Sequence, residues 1–130
     1  MRSELPDTNP TTESRSVATA LLIDLVCVVV FCTIGRRSHA EGITLTGVAH
    51  TAWPFLSGTA VGWLATQAWR RPFALVPTGV AIWISTVLIG MLLRKASSQG
   101  VAPSFIVVAS IVTALLLLGW RGIAILVRRR

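Results

Sequence analysis

From Val17 to Ile34 the chain runs eighteen residues with a single charge, Asp24. At ~1.5 Å per helical residue, that is the minimum that crosses about 30 Å of hydrocarbon. The run ends in Gly35 to Gly42, Gly-Arg-Arg-Ser-His-Ala-Glu-Gly, where most of the polar chemistry of the chain is gathered. Together the two stretches predict a membrane-spanning helix with an acid inside it and a basic, histidine-bearing exit. The rest of the chain predicts three more helices built around that one.

Composition bears on this because the solvent must be identified. Apolar residues make up 53% of the 130 residues, charged residues only 13%, and mean hydropathy is +0.71. A soluble domain of this length rarely tolerates that balance. Nearly every Lys and Arg stands in a short pair between apolar runs, as in a chain whose solvent is mostly lipid. The net charge of +7 does not indicate nucleic acid, because the Arg pairs flank apolar segments instead of sharing one polar face. Cys27 and Cys32 both lie in the first run, five apart, off a common face and outside any metal-ligand spacing.

Residues 1–16 carry Pro6, Pro10 and a Thr/Ser-rich stretch and read as a disordered polar tail. Acids Glu4, Asp7 and Glu13 oppose Arg2 and Arg15, an unsuitable n-region for a signal peptide. Ser38-His39-Ala40 mimics a cleavage site, yet Arg36 and Arg37 separate it from the apolar run. A transmembrane domain over 17–130 follows, with spans at about 17–34, 43–69, 73–93 and 101–127. Pro72 reads as a first-turn residue for the third. Four spans put both termini on one side. That side holds Arg2, Arg15, Arg70, Arg71, Arg121, Arg128, Arg129 and Arg130, eight basic residues against Arg36, Arg37, Arg94 and Lys95 opposite. The positive-inside rule therefore expects cytoplasmic termini in a prokaryotic cell membrane.

An offset of 58 carries Arg36-Arg37 onto Arg94-Lys95, Glu41 onto Gln99, Gly42 onto Gly100 and Arg70-Arg71 onto Arg128-Arg129. Gly62-Trp63 falls one residue past Gly119-Trp120. Two readings stay open: tandem two-helix hairpins, or the ordinary spacing of basic loop ends in any four-span chain.

Asp24 is the sharpest single signal, since a carboxylate within a span costs on the order of 3 kcal/mol. Counting eight residues inward from each cytoplasmic marker puts Asp24, Gly62, Gly79 and Trp120, beside Arg121, at one level. An Asp24–Arg121 ion pair is one expectation, with the glycines making room. A protonated Asp24 bonded to a hydroxyl and fixing helix packing is the other. Gly58 and Gly62 share a face that permits close helix approach, and Pro54 removes a donor inside the second span. Arg36, Arg37, His39 and Glu41, with His50 just inside the second span, form an outer cluster suited to lipid head groups or an anionic solute. No metal set or cofactor site is implied.

The Gly35–Gly42 exit, followed by Thr51-Ala52-Trp53-Pro54-Phe55-Leu56-Ser57-Gly58 and Gly62-Trp63, resembles the DUF3054 family of small prokaryotic four-span membrane proteins. The resemblance spans about Val17 to Val127. It implies the architecture and a bacterial membrane location, and no activity. Small multidrug-resistance transporters also place one acid in the first of four short spans, but the residues around Asp24 do not match their pattern.

The fold expected is all-α: an integral membrane four-helix bundle, completed by self-association or by another membrane protein, with the lipid bilayer as its medium. The leading functional expectation is transport or permeation centred on Asp24. The face Asp24, Val28, Phe31 and Gly35 would then line a hydrated path. The alternative is a structural or regulatory subunit whose polar residues hold helices and partners together. An enzyme is not expected, because no catalytic set occurs.

Overall fold

The computed structural model describes residues 10–38 and 43–128, the side chains of 10–13, 37 and 38 excepted. Four helices follow in order: α1 (Pro10–Ser38), α2 (Leu45–Thr66), α3 (Val80–Ala96) and α4 (Pro103–Arg128). No strand occurs among the described residues, and the fold is all-α. Each helix packs on its neighbour in the chain and α4 closes back on α1, so the four form a ring.

The segments Ser14–Arg36, Leu75–Ala96 and Pro103–Arg128 are long and apolar enough to cross a membrane. Large apolar side chains such as Leu22, Leu64, Leu88, Leu115 and Ile123 stand exposed around the bundle. Water would disfavour that surface; lipid accommodates it. The chain is thus a membrane protein. α2 has a span's length, 22 residues, but polar and small residues dilute it. Several of them meet α3. Ser85 Oγ donates to the Gly58 carbonyl at 2.6 Å, and the Thr59 and Thr86 hydroxyls lie 2.7 Å apart. A Cβ at Gly58 would stand 2.6 Å from the Ser85 carbonyl oxygen, and one at Gly62 3.0 Å from Ile82 Cα. These glycines let the two backbones touch. Pro54 is buried within α2, which continues through it.

Three boundaries correct the sequence expectation. Residues 10–16, read as disordered tail, belong to α1 (Pro10–Ser38). α2 stops at Thr66 instead of Trp69, because Gln67 takes left-handed dihedrals (φ 51°, ψ 54°) and caps the helix end. The third helix does not start from Pro72. Val76 is extended (φ −123°, ψ 129°) inside an irregular turn over Leu75–Gly79, and regular helix begins at Val80.

Among the described residues the interior has two apolar clusters. One holds Phe31, Phe55 and Phe105 from α1, α2 and α4, with ring centroids 5.3 to 6.2 Å apart. The other holds Ala20, Trp63, Ile82 and Leu117 around the charged pair described next.

Candidate functional site

Asp24 of α1 and Arg121 of α4 meet inside the bundle, both 0% exposed. Arg121 Nη1 lies 2.7 Å from Asp24 Oδ1 and Nη2 lies 2.8 Å from Oδ2, a bidentate fork. Two indoles complete the carboxylate. Trp63 Nε1 of α2 donates to Oδ2 at 2.8 Å, and Trp120 Nε1 of α4 donates to Oδ1 at 2.8 Å. All four contacts are N–H donors, which suits an acceptor-only carboxylate and leaves no acceptor for an acid proton. The expected pair is therefore the arrangement found, without the serine or threonine hydroxyl of the alternative.

Arg121 is held on its remaining sides as well. Its Nε donates to the Pro72 carbonyl at 3.1 Å and its Nη1 to the Leu117 carbonyl at 3.2 Å. Its guanidinium also lies 4.6 Å from the Trp120 ring centroid. Trp120 packs edge-on to Phe73 at 5.3 Å, and Arg128 covers Phe73 at 4.8 Å. No buried side-chain N or O among the described residues lacks a hydrogen-bond partner. α1, α2 and α4 are thus tied by side chains, and the Pro72 carbonyl ties in the turn that leads to α3.

The two glycines expected beside this pair part company. A Cβ at Gly79 would lie 2.9 Å from Arg121 Cδ, so Gly79 does make room for the arginine. Gly62 instead faces Ile82 and Ser85 of α3, and its neighbour Trp63 reaches the acid. Sequence reasoning missed the donor roles of Trp63, Trp120 and the Pro72 carbonyl. The available signal was position: both tryptophans fall at the depth of Asp24, each following a glycine.

The face Asp24, Val28 and Phe31 is packed, at 0%, 0% and 2% exposure. Gly35, the next along it, is partly exposed where the helix nears its end.

At the opposite end of the ring Arg36, His50, Thr51 and Arg94 line a cavity of ≈ 250 Å³ floored by Phe31 and Phe105. Arg36 Nη1 donates to Thr51 Oγ1 at 3.0 Å. Of the expected outer cluster, the side chain of Arg37 and all of His39 and Glu41 lie outside the described residues. Arg94, Gln99 and Gly100, which sequence reasoning placed only in a loop, join this wall.

In comparison with known proteins, residues 21–124 match the model of a family described as a protein of unknown function, DUF3054. The matched stretch includes Asp24, Trp63, Trp120 and Arg121. No curated protein and no solved structure matches the chain.

Proposed function

Since the chain belongs to the DUF3054 family, whose function is unknown, we propose from the site itself that it is a structural or regulatory membrane subunit held together by a buried Asp24–Arg121 clamp. One observation carries this reading: the Asp24 carboxylate has no exposed surface and accepts four N–H donors. A transport residue must exchange its partners for water, a proton or a solute. Asp24 instead has both oxygens saturated by groups from α2 and α4, and the clamped geometry favours one packing of the ring.

In this reading four helices cross a prokaryotic cell membrane and both termini face the cytoplasm. The eight basic residues on the terminal side, against four opposite, support that orientation. The exposed apolar side chains on α2, Val61 and Leu64 among them, support a spanning role for this helix too. The partners are the lipid bilayer and a second copy of the chain or another membrane protein.

Thiol accessibility tests the reading. In a chain with Cys27 and Cys32 replaced by Ala, Val28→Cys and Phe31→Cys should stay inert to small water-soluble thiol reagents, while Thr44→Cys reacts. Reaction at both buried positions would mean that a hydrated path runs along α1, and permeation would become the better account.

A further inference from the structure

We infer that the cavity at the end of the ring opposite the clamp is a binding site for a phosphate group, gripped by Arg36 of α1 and Arg94 of α3. The inference goes beyond the clamp reading and does not rest on it.

Electrostatics gives the sign of the ligand. The charged side chains that line the cavity among the described residues are Arg36 and Arg94, with His50 beside them. In sequence, residues 35–44 and 94–100 carry Arg36, Arg37, Arg94 and Lys95 against one acid, Glu41. Even with Glu41 fully paired, the balance stays positive. The floor of Phe31, Cys32 and Phe105 is apolar, which lowers the local dielectric and strengthens each charge contact above it.

Geometry gives the shape. Both guanidiniums are set in place. Arg36 bonds Thr51 at 3.0 Å and crosses the first turn of α2 at Gly47, where a Cβ would lie 2.6 Å from its Nη2. Arg94 Nε donates to the Gly100 carbonyl at 2.9 Å and its Nη1 to Gln99 Oε1 at 3.0 Å. Its guanidinium also stacks 4.6 Å from the Phe105 ring centroid. Two guanidiniums fixed on separate helices suit a ligand that presents oxygens in more than one plane. A tetrahedral phosphate does so; a planar carboxylate does not. The ≈ 250 Å³ of space leaves room for a phosphate group.

The same chemistry is offered by a lipid head group and by a free phosphate, and the test separates them. The full chain is placed in phosphatidylcholine nanodiscs, and thermal unfolding is followed by tryptophan fluorescence. One arm titrates inorganic phosphate; the other adds phosphatidic acid to the disc. A rise in Tm in either arm supports the site, and the arm that responds names the source. Arg36→Gln and Arg94→Gln should each weaken the response about tenfold or more, as the loss of a charged hydrogen bond requires. Arg128→Gln, at the other end of the ring, should leave it unchanged. Should Arg36→Gln not fold, Thr51→Val and His50→Ala probe the same wall and should weaken the response. No shift in either arm, a shift that survives both arginine substitutions, or acetate as effective as phosphate would each overturn the inference. Because the site lies at the far end from Asp24, its failure would leave the clamp reading untouched.

Discussion

Arg121 grips Asp24 through both of its terminal nitrogens across 97 residues of sequence, and neither side chain reaches the surface. Desolvating such a pair carries a penalty that its attraction only partly offsets, so its value lies in what happens when it is broken. One partner left alone inside the bundle is an uncompensated charge. The consequences reach the indoles and the packing glycines around the pair.

Trp63→Phe and Trp120→Phe keep an aromatic ring while removing one N–H donor from the carboxylate. Each should cost about 1.5–3 kcal/mol, the range for hydrogen bonds to charged groups. Trp63, the more deeply buried of the two, should cost at least as much as Trp120. Equilibrium unfolding in mixed micelles reads both, and two neutral substitutions would show that Arg121 alone satisfies the acid.

Gly58→Ala should destabilise the α2–α3 contact by about 1–3 kcal/mol, because the added carbon meets backbone, which cannot swing aside. Gly119→Ala is the matched control. Nothing lies within 4 Å of its added carbon, so the change should be neutral or stabilising by up to ~1 kcal/mol. Melting temperatures of the two variants in one detergent settle the comparison; equal losses would contradict it.

The proposed orientation predicts that an impermeant thiol reagent added to intact cells labels Thr44→Cys and spares Arg130→Cys, in a background without Cys27 and Cys32. Labelling of Arg130→Cys from outside would reverse or break the four-span topology.

The depth of Asp24 and Arg121 was legible in the sequence because both are charges, and charges within apolar runs can be counted from the basic interface markers. The indole donors were not, because tryptophan reads as apolar bulk and its single N–H leaves no trace in a hydropathy pattern. Gly62 shows the limit of depth alone: it shares the level of the pair, but its direction around α2 turns it to Ile82. Helical phase relative to a neighbour is a tertiary property. The irregular start of the third helix was hidden for a related reason. Pro72 looked like a suitable first turn, yet its carbonyl serves Arg121 and the helix waits until Val80. The weaker apolarity of α2 was visible in its residues; that Gly58 and Thr59 meet α3 emerged only from the packing.

The clamp itself is tested most directly by a double-mutant cycle on Asp24→Asn and Arg121→Gln, with unfolding free energy measured in a single lipid or detergent system. Each single substitution should cost about 3–5 kcal/mol, as expected when one member of a buried pair is removed. The double variant should recover part of that loss, with a coupling above ~1 kcal/mol. Additive losses, with the double variant as unstable as the sum of the singles, would contradict the clamp.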